Sequence, residues 1–234
     1  LILGVWVKRE ALQAVLCDLR LKTLGLEREA LPERRLDFEG ALFRLIDRFA
    51  PALPRVCAVG VSALGPVDVD RQAILNPPDF YGLEDVPVGE MIARRYKKRV
   101  FFENDANCAA LVERLYGQGR ACDYFLELSL TNGIGSGIVS KGALYQDDTG
   151  RAGEFGHVSI NYHGPRCSCG NRGCLEMYAS TPVVLRRLRR ATGLDLDYES
   201  FCALRDGAAE EVLLDVLDKV ACALVGQVNM LNPQ

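Results

Sequence analysis

The chain has 234 residues, of which 49% are hydrophobic and 25% are charged, and its formal net charge is −3. This length supports one large domain or two small ones without disulfide staples, and the charge balance gives no indication of a nucleic-acid or membrane-surface partner. The longest apolar runs, such as VCAVGVSAL at 56–64, are far shorter than the about 18–20 residues that cross a bilayer, so no transmembrane helix is predicted.

The first half of the chain alternates short apolar strands with helices. The pattern predicts, in order, strands at 2–7, 12–19 and 24–31, a helix that Asp37 caps and Pro51 ends, a strand at 56–62, a helix at 88–98 and a strand at 100–103. The turn-rich ALGPVD (63–68) and the polar stretch NPPDF (76–80) connect these elements. A loop that enters a helix follows at 104–119, with Asn104 or Asp105 at its N-terminal end.

The second half begins with strands at 123–130 and 135–140, which flank a glycine-rich turn, and KGALY (141–145) is predicted to pair as a hairpin. After a stretch rich in Cys and His, Thr181 and Pro182 are predicted to open a helix at its N-cap and first position, and Gly193 to close it. A long amphipathic helix is expected from Ala208 to Leu231, with apolar residues at 212, 213, 216, 217, 220, 224, 225 and 228.

Alternation of strands and helices along the whole chain indicates the α/β class. Each half begins with strands that pair as hairpins and continues with helices, so we expect a duplicated architecture of two lobes with a cleft near residue 105. The expected lobes are 1–104 and 105–234.

The stretch GEFGHVSINYHGPRCSCGNRGCLE (153–176) concentrates metal-binding residue types. It holds both histidines of the chain, His157 and His163, and three cysteines within eight positions, Cys167, Cys169 and Cys174. Three thiolates and an imidazole match a closed tetrahedral zinc site, and the interleaved glycines favour a tight knuckle at 157–174. The alternative is a set of structural or reactive free cysteines, because three cannot form a disulfide framework. Spacing leaves open whether His157 or His163 is the fourth ligand.

The other six cysteines stand singly in apolar surroundings, which favours free, buried thiols in a reducing, cytoplasmic setting. They are Cys17, Cys57, Cys108, Cys122, Cys202 and Cys222. The chain opens LILGVWV, with neither an initiator methionine nor a signal-peptide pattern, so we expect it to be a fragment of a longer protein.

Four segments resemble the ROK family, named for repressors, open reading frames and kinases. The run AGEFGHVSINYHGPRCSCGNRGCLEMYAS (152–180) is similar to the family signature, and FENDANCAALVE (102–113) to its catalytic-aspartate segment. VGVSALGPVD (59–68) and ILNPP (74–78) are similar to its sugar-cleft segments. The resemblance extends from about residue 3 to residue 233 and implies an actin-like, ribonuclease H-like α/β fold of two lobes with a zinc-binding loop.

The resemblance also implies roles for single residues. It makes His157, rather than His163, the zinc ligand beside the three cysteines, and it places the same histidine against the sugar. Carboxylates accept hydrogen bonds from neighbouring sugar hydroxyls, and a metal-held imidazole presents its second nitrogen in a fixed tautomer, so zinc would shape the pocket rather than activate water. The implied sugar contacts are Gly65, Asn104, Asp105, Glu154, His157 and Glu176.

Two loops that cradle ATP phosphates in family kinases depart from the family pattern here. The first, Asp-x-Gly-Gly-Thr, corresponds to Trp6-Val7-Lys8-Arg9-Glu10, in which bulky and charged side chains block close backbone approach to a phosphate. The second, usually Gly-Thr-Gly-Ile-Gly-x-Gly, reads TNGIGSG at 131–137, and we expect it to serve as a strand-connecting turn. ATP and Mg²⁺ are therefore not expected as cofactors.

An intact sugar segment with an eroded phosphate loop resembles the sugar-responsive transcriptional regulators of the family. We expect a zinc-containing domain that binds a sugar or amino sugar in the interlobe cleft, acts on operator DNA through a domain not in this chain, and forms a homodimer or tetramer without a membrane partner. The alternative is an ATP-dependent sugar kinase, like a glucokinase or an N-acetylhexosamine kinase, with Asp105 as general base. A scaffold that has lost both activities is the third hypothesis.

Overall fold

The computed structural model describes residues 1–77, 82–146 and 152–234. These residues form two compact units, each with its own hydrophobic core. The first unit comprises Leu1–Cys108 together with Gln146. The second comprises Ala109–Tyr145 and Ala152–Gln234. The predicted segments NPPDF and ILNPP run past Pro77 and so lie in part outside the described residues.

A five-stranded mixed sheet forms the base of the first unit. Its strands are β1 (Ile2–Val7), β2 (Ala11–Cys17), β3 (Thr23–Ala30), β4 (Ala58–Ala63) and β7 (Arg99–Asn104). Two further strands, β5 (Val67–Asp68) and β6 (Ala73–Ile74), form a separate two-stranded sheet. The order in the large sheet is β3-β2-β1-β4-β7, and β1, β4 and β7 are parallel. Their carboxyl ends therefore lie at one edge, where Ala63 is in register with both Val7 and Asn104.

Two helices, α1 (Arg35–Asp47) and α2 (Val88–Tyr96), pack on this sheet. Alternate residues of β1 and β4 are buried, because side chains along a strand point to opposite faces, and they join the helices' apolar side chains in one core. The largest fully buried members of this core include Leu3, Leu12, Phe38, Leu42, Leu45, Ile46 and Ile92.

The second unit contains a three-stranded antiparallel sheet in the order β10-β9-β8. Its strands are β8 (Phe125–Leu130), β9 (Ile134–Ser140) and β10 (Ala143–Leu144). The helices are α3 (Asp105–Leu115), whose first turn belongs to the first unit, α4 (Glu176–Ala179), α5 (Thr181–Thr192), α6 (Tyr198–Ala203) and α7 (Gly207–Leu231). Leu175, Leu188 and Phe201 are fully buried in its core.

Helix α7 begins at the side chain of Asp206, which accepts a hydrogen bond from the Ala209 N–H, and ends at Asn232 in the left-handed conformation. Of its predicted apolar positions, Val216 and Val220 are buried, whereas residues 217, 225 and 228 are at least half exposed. No helix within the described ranges is both long enough and apolar enough to cross a membrane.

The predicted elements are confirmed in type and order, but three details are wrong. Asp37 does not cap α1; the helix begins two residues earlier and Asp37 pairs with Arg34 at 3.0 Å. Helix α5 has Ser180 as its N-cap, so Thr181 is its first residue and Pro182 its second, while Gly193 closes it as predicted. None of the six single cysteines is fully buried as predicted: Cys57, Cys202 and Cys222 are exposed, and Cys17, Cys108 and Cys122 are partly buried.

Candidate functional site

Four of the predicted metal ligands converge in the second unit. His157 ends a short 3-10 helix, Phe155–His157, and the three cysteines lie in the loop that follows. One ligand atom from each of His157, Cys167, Cys169 and Cys174 lies within 4.8 Å of the others. Cys169 Sγ and Cys174 Sγ are 3.7 Å apart, and Cys167 Sγ is 3.6 Å from His157 Nδ1.

These distances fit a single tetrahedral ion. Zinc–sulfur bonds of about 2.3 Å and zinc–nitrogen bonds of about 2.05 Å put neighbouring ligand atoms about 3.8 Å apart for two sulfurs and about 3.6 Å apart for a sulfur and a nitrogen. The two separations in the structure agree with those values to within about 0.1 Å. The donor set is therefore able to close around a metal ion such as Zn²⁺.

Backbone pairing inside the loop brings the cysteines together. The Cys167 N–H donates to Asn171 O at 2.8 Å, and the Ile160 N–H donates to Gly173 O at 2.9 Å. Gly170 and Gly173 have φ values of 92° and 67°, a left-handed conformation that glycine adopts without strain. A Cβ atom on Gly173 would overlap the Asn161 carbonyl, so the close approach of the two loop segments requires glycine at this position.

The thiols of the cluster differ in acidity. Burial, and next the hydrogen bonds with Cys169 and Cys167, raise the pKa of Cys174 to about 12. For Cys169 burial opposes ionisation, but hydrogen bonds from the Asn171 backbone and the neighbouring thiols outweigh it and lower the pKa. Because the ligand form of cysteine is the thiolate, these hydrogen-bonded thiols would release protons when a metal ion binds.

The two histidines have different surroundings. His157 directs Nδ1 toward Cys167 Sγ, while its Nε2 lies 3.8 Å from Glu154 Oε2. The ring of His163 instead packs against that of Tyr162, with centroids 3.8 Å apart and planes inclined at 40°, and its backbone N–H donates to Asn161 Oδ1. The structure thus brings His157 to the cysteines and leaves His163 outside the cluster.

Glu176, the first residue of α4, contacts the glycine-rich turn. Its Oε2 accepts a hydrogen bond from the Ile134 N–H at 3.1 Å. The turn itself, Thr131–Gly133, joins β8 to β9 and is closed by a 2.9 Å hydrogen bond from the Thr131 N–H to Gly133 O. The loop at 131–133 thus connects two strands.

The other predicted sugar contacts lie at the carboxyl edge of the parallel strands in the first unit. Gly65 follows β4, Asn104 ends β7 and Asp105 begins α3. Asn104 caps the helix, because its Oδ1 accepts from the Ala106 N–H at 2.9 Å and the Asn107 N–H at 3.4 Å. A Cβ on Gly65 would come within 2.7 Å of Asn104 Nδ2, so the amide packs directly on the glycine.

Residues 8–10, which the resemblance matches to the first phosphate loop, connect β1 to β2. They form a tight turn in which the Lys8 N–H donates to Ala11 O at 3.0 Å. The Lys8 ammonium lies 4.1 Å from the centroid of the Trp6 ring, in a cation–π arrangement. The side chain of Lys8 is thus held against the Trp6 ring at this turn.

The sequence analysis missed two polar residues, Glu103 and Asn107, that lie next to the predicted sugar contacts Asn104 and Asp105. Glu103 Oε1 accepts from the Asn104 N–H and from Asn107 Nδ2, each at 2.9 Å. Asn107 is only 7% exposed, which is rare for an amide without a specific partner. The sequence shows that Glu103 and Asn107 flank the predicted contacts. It does not show that their side chains meet across the junction between β7 and α3.

Comparison with known proteins identifies similar chains of two kinds. The sequence pattern of the ROK family matches residues 3–234. Glucokinase of Thermotoga maritima is 34% identical over 193 residues, which cover 75% of this chain and 61% of that protein. The xylose repressor of Bacillus subtilis is 34% identical over 152 residues, covering 63% of this chain and 39% of that protein.

A solved structure of a ROK family transcriptional regulator, described as a homologue of the E. coli MLC protein, superimposes with a TM-score of 0.89 at 26% identity. The match covers 99% of this chain and 63% of that one. The likeness confirms the predicted actin-like α/β fold class. This chain spans between 39% and 61% of the length of the curated relatives that it matches.

Proposed function

The chain belongs to the ROK family, and we propose that residues 1–234 form the sugar-sensing effector domain of a transcriptional regulator of that family. The proposed ligand is a sugar or amino sugar. The proposed macromolecular partner is operator DNA, contacted through a domain outside this chain, and the proposed assembly is a cytoplasmic homodimer or tetramer. Relatives named as repressors support the regulator role.

The observation that carries this proposal is the turn between β1 and β2. Phosphoryl transfer depends on positioning the phosphates and neutralising their charge, usually with backbone N–H groups and a metal ion. At this turn the indole of Trp6 and the ammonium of Lys8 pack on each other, and the carboxylate of Glu10 adds a negative charge. Such a turn supports a protein that binds a sugar without phosphorylating it.

The proposed sugar contacts are divided between the two units. In the first unit these are Gly65, Asn104 and Asp105, and in the second they are Glu154, His157 and Glu176. Carboxylates suit this role because each oxygen accepts hydrogen bonds from neighbouring hydroxyls, and an amide such as Asn104 both donates and accepts. A sugar of the correct stereochemistry satisfies the groups that it contacts, whereas an epimer leaves one of them without a partner.

We propose Zn²⁺ as the metal of the Cys/His cluster. Held by His157 Nδ1 and the three cysteines, it would have four protein ligands and no open position, so its role is structural rather than catalytic. Its chemical contribution when bound is to fix the ring of His157, which leaves Nε2 protonated and directed toward Glu154.

The second candidate is a sugar kinase. Asp105, at the first position of α3, is a carboxylate of the kind that accepts the proton of an attacking hydroxyl, and the Thermotoga maritima relative is named glucokinase. This function requires an ATP site, and the β1–β2 turn argues against one.

An ADP-release assay distinguishes the two candidates. The protein is mixed with Mg-ATP and, in turn, hexoses, N-acetylhexosamines and pentoses, beside the variants Asp105→Asn and, at an exposed position of the same unit, Asp70→Asn. We expect no sugar-dependent ADP release from any of the three proteins. Release that a sugar stimulates in the wild type and in Asp70→Asn, and that Asp105→Asn abolishes, would establish the kinase instead.

A further inference from the structure

The junction between β7 and α3 is held by a closed set of side-chain hydrogen bonds. Glu103 stands next to last in β7, and a single oxygen, Oε1, accepts from the Asn104 N–H and from Asn107 Nδ2, both at 2.9 Å. The second oxygen, Oε2, accepts from Gln146 Nε2. Both oxygens of this carboxylate therefore have a donor in the same unit.

Asn107 ties the helix back to the strand. It lies in the first turn of α3, where its side chain is almost fully buried and donates to Glu103, while its backbone N–H donates to Asn104 Oδ1 at 3.4 Å. Asn104 Oδ1 also accepts from the Ala106 N–H at 2.9 Å. The side chains of Glu103 and Asn107 thus hold Asn104 through its backbone N–H and through the helix turn that its own side chain caps.

The orientation of the Asn104 amide follows from these partners. Two backbone N–H groups face one end of the amide, which must be the oxygen, so the nitrogen is the end that packs on Gly65. An ionised carboxylate is only an acceptor, so Glu103 likewise fixes which end of the Asn107 amide faces it. The amides of Asn104 and Asn107 therefore each have one permitted orientation.

We infer that Glu103 and Asn107 are positioning residues for the sugar contact of Asn104. The inference rests on the proposed function, because it assigns these two residues a role in binding the same ligand. In this role neither Glu103 nor Asn107 touches the sugar. Both hold the Asn104 side chain in one orientation before the sugar binds, so less conformational entropy is lost on binding. A pre-oriented amide binds more tightly than one that must be ordered by the ligand.

The test is isothermal titration of the wild type and its variants with the tightest-binding sugar of a panel of hexoses, N-acetylhexosamines and pentoses. We expect Glu103→Ala to weaken binding by about tenfold, the effect of one lost or misplaced hydrogen bond. The variant Glu103→Gln should keep most of the wild-type affinity, because the side-chain carbonyl oxygen of glutamine still accepts from Asn104 and Asn107. Glu90→Ala, at an exposed position of α2, is the matched control and leaves Kd unchanged.

A second comparison separates positioning from simple loss of stability. If Glu103 acts through Asn104, the change in Kd caused by Glu103→Ala disappears when Asn104 is already alanine. A change that persists at full size in the Asn104→Ala background would overturn the inference. Should Glu103→Ala fail to fold, Glu103→Asp replaces it, because the shorter carboxylate keeps the charge but cannot reach both donors.

The failure of this inference differs from that of the proposed function. A folded wild type that binds no sugar of the panel overturns the proposed function, and this inference with it. A wild type that binds a sugar, with a folded Glu103→Ala variant of unchanged Kd, overturns the positioning role alone.

Discussion

His157 directs its two ring nitrogens at different groups, as its two proposed roles, metal ligand and sugar contact, require. Nδ1 lies 3.6 Å from Cys167 Sγ, and Nε2 lies 3.8 Å from Glu154 Oε2. A metal on Nδ1 leaves the proton on Nε2, which makes that nitrogen a donor. The neighbouring His163 lacks both contacts and packs against Tyr162 instead.

The two histidines provide a matched pair of variants for the metal site. We expect the wild type and His163→Ala to carry about one zinc per chain, and His157→Ala to lose most of it, because three cysteines alone leave the tetrahedron open. Metal analysis of the purified proteins by mass spectrometry gives the ratio directly. Loss of zinc from His163→Ala, with retention by His157→Ala, would show that the ligands are assigned wrongly.

Cys108, in the first turn of α3, is predicted to resist alkylation. Burial, with smaller contributions from Glu103 and Asp105, raises the pKa of its thiol to about 11, although a hydrogen bond with Ser62 acts in the opposite direction. The reactive thiolate is therefore scarce at pH 8 and forms only above about pH 10. Iodoacetamide followed by peptide mass spectrometry should label the exposed Cys222 at pH 8 and leave Cys108 unlabelled. Equal labelling of the two at pH 8 would refute the raised pKa.

At the scale of secondary structure, most elements could be predicted because their signals are local. Alternating apolar residues identify β1 and β4, and Gly193 marks the end of α5. The helix starts were less accurate: α1 begins at Arg35 with no side-chain cap, because packing of its apolar face, rather than a capping residue, decides where the helix begins.

The loop that carries the cysteines depends on two glycines that are not equivalent. Both have positive φ, but a Cβ on Gly170 would meet open space, whereas one on Gly173 would overlap the Asn161 carbonyl. We expect Gly170→Ala to lower the free energy of unfolding by about 1–2 kcal/mol, the cost of the left-handed conformation, and Gly173→Ala by about 3–4 kcal/mol. Urea unfolding of the zinc-loaded proteins measures both values. Equal losses would contradict the steric argument.

Helix α4 is joined to the β8–β9 turn through Glu176. Because Glu176 Oε2 accepts from the Ile134 N–H, that amide should be protected from exchange with solvent. We predict that Glu176→Ala increases its exchange rate about tenfold, whereas Glu176→Gln, which keeps an acceptor oxygen, has little effect. Hydrogen exchange measured by NMR tests this, and an unchanged rate in Glu176→Ala would exclude the contact.

At the scale of the whole molecule, the residues that the structure describes form two cores, and each unit contains proposed sugar contacts. The three cysteines of the candidate metal site could be predicted to meet because they lie within eight positions, so the local loop alone brings them together. The choice of His157 over His163 came from the family resemblance and not from the spacing. Glu103 and Asn107 could not, because their contact depends on how a strand passes into a helix. The exposure of residues 217, 225 and 228 on α7 could not be predicted either, because an apolar pattern does not show which of its residues pack against another element.

Calorimetric titration of the zinc-loaded protein with hexoses, N-acetylhexosamines and pentoses, in the absence of nucleotide, tests the central claim most directly. The proposed sensor should bind one sugar of this panel in a saturable manner, and Asp105→Asn and Glu154→Gln should each weaken binding at least about tenfold, because each removes a carboxylate that accepts from sugar hydroxyls. A folded, metal-containing protein that releases no heat with any of these sugars would contradict the account.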